Sequence, residues 1–162
     1  MIRGLSYNES EPPNTGLWAM AIILALIIAL TIIFWPRKAH AEEVNLDIII
    51  QIESSWNENA INKYSQATGL GQITAIALHD FNNLNDTHYT MADLKDPQRN
   101  MRISYWMLTE RIPQLLRHFK KAVTVENILI AYNAGITRVG RKRLPSQTVK
   151  YIQKYQRLAR SK

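Results

Sequence analysis

Cysteine is missing from all 162 residues, which excludes a disulfide frame and a thiolate zinc site. Histidine is scarce. His40, His79, His88 and His118 stand without zinc-ligand spacing, so they read as structural, and neither a metal nor another cofactor is expected. No stretch alternates apolar and polar residues as a half-buried strand requires, and there is no internal repeat or low-complexity segment. Acidic residues are almost lacking from the C-terminal part. Residues 99–162 hold fifteen Lys/Arg against Glu110 and Glu126, whereas residues 42–98 hold Lys63 and Lys95 against nine Asp/Glu. The formal net charge of +7 therefore conceals a split that predicts a field across the folded domain, attracting polyanions to one side. The plainer explanation is solubility with a basic tail; the sharper one is attraction to cell wall, lipid headgroups or nucleic acid. Arg138 to Arg143 lacks interleaved aromatics, so phosphate or wall-polyanion attraction fits it better than base readout, and no specific nucleic acid is expected.

What is present begins with an apolar run. Leu17 to Trp35 is nineteen residues without a charge, about 28 Å of helix at ~1.5 Å per residue, close to the hydrocarbon thickness of a bilayer. Trp18 and Trp35 sit at its ends, where indole rings favour the headgroup zone, and Pro36 then stops the helix. The spacing predicts a polar segment over 1–16, one transmembrane helix over 17–35, a linker over 36–43 and a domain over 44–162. Ala39-His40-Ala41 fits a signal-peptidase site. A cleaved leader, however, has an apolar core of roughly 7–15 residues and a basic start, whereas Arg3 here is outweighed by Glu9 and Glu11. A retained anchor is therefore favoured. Arg37 and Lys38 on the domain side run against the positive-inside rule, which binds long translocated domains only weakly.

In the domain the periodicity is helical. Leu46, Ile49, Ile50 and Glu53 share one face of a first helix. Leu70, Ile73, Ala77 and Phe81 predict a second, and residues 82–95 read as polar and turn-like. Asp96-Pro97 reads as a cap plus first-turn proline for a third helix bearing Met101, Tyr105, Leu108 and Ile112, which Pro113 should kink or end. Thr124 should cap a fourth with Val125, Ile128, Leu129 and Tyr132, closed by Gly135 as a left-handed stop. Pro145-Ser146 should begin a last helix with Tyr151, Ile152 and Tyr155 inward. The expected fold is one small all-α domain.

Glu53 and Tyr132 each end the inward stripe of a helix. A carboxyl group there is costly when ionised, so burial should keep it protonated near neutrality, the state a general acid needs. A phenol could fix its rotamer. Spacing alone fits equally a helix-end glutamate turned to solvent and a core tyrosine with a satisfied hydroxyl. Gly69 and Gly71 would let backbone approach a ligand, and Gln72 and Asn133 offer amide groups to sugar hydroxyls or an acetamido group.

Glu53-Ser54-Ser55-Trp56-Asn57, Asn59-Ala60 and Ala67-Thr68-Gly69-Leu70-Gly71-Gln72-Ile73 closely resemble a motif of lytic transglycosylases with the soluble-transglycosylase (SLT), goose-lysozyme-like catalytic domain. Asp96-Pro97 with Asn100 and Tyr105, Ala131-Tyr132-Asn133-Ala134-Gly135, and Leu144-Pro145 with Tyr151-Ile152 and Tyr155 are similar to its later motifs, in the same order. The resemblance spans about residues 44–156. It implies a lysozyme-like helical domain acting on peptidoglycan glycan strands, with Glu53 as the single acid/base and Tyr132 as the residue that positions it. Asn62, Gly71, Gln72 and Asn133 fall on its substrate-binding positions. Asn62 replaces a usual serine, Glu58 a common proline and Gly71 a common methionine.

The implied reaction cleaves the β-1,4 bond after N-acetylmuramic acid and closes a 1,6-anhydro ring. The Gly-Leu-Gly-Gln-Ile variant is similar to that of small transglycosylases serving secretion, conjugation and phage entry, which implies an envelope-spanning or virion assembly as partner and a location at the inner membrane and periplasm or in a virion membrane. The alternatives are a lysozyme-type hydrolase on the same fold and a non-catalytic structural subunit of such a machine.

Overall fold

A computed structural model describes residues 44–161. The polar segment, transmembrane helix and linker expected over 1–43 lie outside these residues. Among the described residues no helix is long and apolar enough to cross a membrane. They are helical, without a strand beyond the isolated bridges Ile61–Thr68 and Thr68–Ile73.

Helix α1 (Leu46–Glu53) starts where Asn45 accepts from the Ile48 amide, and it ends on the predicted residue. Helix α2 (Ala75–Asn85) is capped by Thr74 and ends at Asp86 in a left-handed conformation. Two expectations fail here. Leu70 and Ile73 precede the helix, because Gly69 (φ 79°) and Gln72 (φ 51°) turn the chain in a way that no right-handed helix allows. Part of the polar stretch 82–95 is ordered: α2 continues to Asn85 and a 3-10 turn spans Ala92–Lys95.

Asp96 caps α3 (Pro97–Trp106) as expected. Pro113 does not end it. A π-helical turn over Met107–Arg111 leads into α4 (Ile112–His118), with Pro113 in the first turn of α4, where its missing N–H costs little. Thr124 caps α5 (Val125–Ala134). Gly135 follows with φ 87° and ψ 155°, so the stop has the expected positive φ but an extended ψ that essentially only glycine adopts. A 3-10 turn (Ile136–Arg138) and α6 (Ser146–Arg160) complete the domain.

Two apolar clusters form the core. The larger joins α1, the π turn, α4, α5 and α6 through Ile48, Ile49, Leu108, Ile112, Leu116, Leu129 and Ile152. The smaller gathers Ile73, Leu78, Phe81, Leu94, Ile103 and Trp106, with Phe81 edge-on to Trp106 at 5.1 Å. Each such side chain contributes about 1.5–3 kcal/mol when fully buried. Met107 packs against both clusters. The Asn45 amide donates to the Tyr155 hydroxyl at 2.8 Å, fixing the start of α1 on α6 and bringing Glu53 beside that helix.

Candidate active site

Glu53 is the last residue of α1, half-buried against α6. Desolvation raises its pKa from the ordinary 4.5 to about 7, although the Tyr151 hydroxyl and the Lys154 ammonium both pull the other way. Burial wins because taking a carboxylate out of water costs more than one phenol and one partly exposed cation return. Protonated and ionised Glu53 therefore coexist near neutrality. Such a group can deliver a proton and then take one back near pH 7.

Two phenols face it. Tyr151 and Tyr132 both have their ionisation pushed up, first by burial and next by the Glu53 charge, so each remains a neutral hydroxyl. The Tyr132 hydroxyl donates to the Gly71 carbonyl at 2.8 Å. That bond uses its proton while the oxygen can still accept, and the Glu53 charge lies close enough to raise the Tyr132 pKa. The Tyr151 hydroxyl is buried and makes no well-formed hydrogen bond, while lying near enough to Glu53 to lower its pKa. A second phenol, Tyr151 on α6, therefore stands at the carboxyl group in addition to Tyr132 on α5, the one the sequence singles out.

The loop opposite is built around Asn100, which is fully buried. Its Oδ1 accepts from the Gly71 amide at 2.7 Å, and its Nδ2 donates to the carbonyls of Thr68 and Leu94 at 2.9 Å each. One side chain thereby satisfies three backbone groups and pins the 68–71 loop to the turn at Leu94. Gly71 has both backbone groups occupied, and a Cβ there would lie 1.9 Å from Ser104 Oγ and 3.0 Å from Tyr132 Oη. Its part is close packing of the cleft wall. Gly69 is glycine for a related reason: φ is positive and a Cβ would meet the Leu94 carbonyl at 2.3 Å.

Gln72 donates from Nε2 to the Ala60 and Gly69 carbonyls at 3.2 and 3.0 Å, so the loop backbone holds its amide nitrogen. Asn133 makes no side-chain hydrogen bond among the described residues. Gln72, Tyr132 and Asn133 line one groove of about 360 Å³, whose other walls are mostly apolar (Ile73, Ile76, Met107, Ile136). Asn62 is not brought into this groove. Its Oδ1 accepts from the amides of Tyr64 and Ser65 at 2.9 and 3.1 Å, shaping its own exposed loop.

Among the described residues no second carboxylate stands free at the site. Asp80 lines the groove but is held bidentately by Arg111 at 2.5 and 3.0 Å. Glu58 and Asp86 are exposed. No group of three or more His, Cys, Asp or Glu suited to a metal occurs among these residues. Sequence does not single out Ser104 and Lys154, and it marks Tyr151 as an inward residue of a family-like motif without a task at the acid. The usable signal was that a buried phenol normally finds a partner.

A protein-family model described as "Transglycosylase SLT domain" matches residues 31–154. Neither the curated proteins nor the solved structures give a match.

Proposed function

The chain belongs to the transglycosylase SLT family, and it is thus a peptidoglycan lytic transglycosylase, a lyase acting on polysaccharide; we propose that Glu53 is its only acid/base group and that the product is a 1,6-anhydro end. The observation that carries this reading is a carboxyl group raised to about 7 by burial beside two neutral phenols, one of which, Tyr132, also lines a largely apolar groove where Gln72 and Asn133 offer amides. Ordinary glycosidases need two carboxyl groups. Here a single one serves twice.

In the first step Glu53 donates its proton to the bridging oxygen of the β-1,4 bond, and that oxygen leaves with the bonding electrons. The acetamido oxygen of the N-acetylmuramic acid residue supports the positive charge at C1. In the second step the Glu53 carboxylate removes the C6 hydroxyl proton, O6 bonds to C1, and the acid is restored. Tyr151 orients the carboxyl group, Tyr132 holds the Gly71 wall, and Gln72 Oε1 and Asn133 receive sugar hydroxyls or the acetamido N–H.

The apolar run 17–35 supports a membrane-anchored enzyme with its domain facing the wall, and the Gly-Leu-Gly-Gln-Ile variant supports local wall opening for a secretion or conjugation system or a phage. Digestion of murein sacculi by the purified protein tests the chemistry. Muropeptides lighter by one water than reducing ends are expected, and Glu53→Gln should release none. Reducing ends alone would mean that water, not O6, attacks. Clearing by Glu53→Gln would remove Glu53 from the mechanism.

A further inference from the structure

We propose that Lys120, Lys121, Arg138, Arg141, Lys142 and Arg143 form a second contact surface for peptidoglycan, taking the carboxylates of its peptide stems while the glycan strand lies in the groove. This rests on the peptidoglycan reading above.

The six cations come from two stretches of chain that the fold joins. A Cβ built on Gly140 would lie 3.0 Å from Lys121 Nζ, so this ammonium rests against the 138–143 turn. Buried Val139 anchors the turn from below. All six side chains are exposed. Arg141 Nε donates to the Thr137 carbonyl at 3.2 Å, which fixes its stem. The ion pairs among the described residues, Arg99 with Asp93 and Arg111 with Asp80, use none of the six. Gathering like charges without ion-paired counter-charges among the described residues opposes folding, so the patch contributes nothing to the fold that would explain it.

Its position suggests the ligand. Asn133, Gly135 and Ile136 line the groove, and Arg138 follows two residues after Ile136. The patch is therefore adjacent along the chain to residues that line the groove. A glycan strand there carries peptide stems with free carboxylates, an anion of matching sign and spread. The 138–143 turn bears no aromatic side chain on which a nucleic-acid base could stack.

The test is co-sedimentation of the purified full chain with murein sacculi, in a Glu53→Gln background so that the polymer stays intact. Replacing Arg141, Lys142 and Arg143 together by Gln should weaken binding about three- to tenfold at low salt, and the gap should close at high salt. Lys120→Gln with Lys121→Gln, across the turn, should repeat the loss and so exclude local misfolding of the turn as its cause. Blocking the stem carboxylates by amidation should bring the Arg141-to-Arg143 parent down to the level of the triple variant. With Glu53 intact, cleavage of a soluble peptide-free tetrasaccharide should be unchanged by either set. The proposal falls if the variants bind untreated sacculi like the parent, or if amidation leaves the parent unaffected. It falls too if the triple variant loses affinity for phosphatidylglycerol vesicles but not for sacculi, since the patch would then be a membrane surface. Failure of the parent protein to cleave the tetrasaccharide would instead count against the reaction.

Discussion

At the residue scale the molecule is organised around one ionisation. Glu53→Gln keeps the shape and removes the transferable proton, so sacculus digestion should drop at least a hundredfold. Because Glu53 titrates at about 7, the rate should fall as pH rises above neutrality and the acid form is lost. Tyr151→Phe removes a hydroxyl that lowers the Glu53 pKa, so the alkaline limb of the pH–rate profile should move upward. The maximal rate should decline while stability holds, since the lost hydroxyl has no well-formed hydrogen bond. An unmoved limb would separate Tyr151 from the acid. Glu53 and Tyr132 stand out in the sequence because each ends an apolar stripe within a motif that resembles the family's, and the fold brings both near Tyr151. The distinct task of Tyr151 does not. Inward spacing on α6 specified its burial, whereas the approach to Glu53 depends on how α1 crosses α6.

At the element scale the site depends on a helix end and a loop. Helix limits were readable wherever a cap announced them, at Asp96-Pro97 and Thr124, and the apolar stripe itself marked the end of α1. They were misread where the backbone does something that residue type does not announce. Gln72 at positive φ cut short the second stripe, and the π turn before Pro113 let one helix flow into the next. The Asn100 hydrogen bonds give the loop its rigidity. Asn100→Ala strands the Gly71 amide and two carbonyls in a buried place, and should cost about 3 kcal/mol or more in denaturant unfolding. Activity should suffer beyond that loss, because the wall touched by Tyr132 shifts with the loop. Full activity in a folded Asn100→Ala protein would contradict this account.

At the scale of the whole molecule the acid opposes the fold that holds it. Its folded-state pKa lies above the unfolded 4.5, so the native protein keeps the proton longer than the unfolded chain. The stability contribution of Glu53 therefore declines between about pH 4.5 and 7 and stays low above. Glu53→Gln should be as stable as the parent at pH 4 and more stable at pH 9, on the order of 2–3 kcal/mol by denaturant titration. Equal stabilities at both pH values would mean that Glu53 is not desolvated. The Gly71 loop joins the smaller apolar cluster to Tyr132 of the larger, and Ser104 fills the space where a side chain at 71 would begin. Volume at these two places is shared. Gly71→Met alone should therefore unfold the loop, and adding Ser104→Gly should recover part of the lost stability in a denaturant titration.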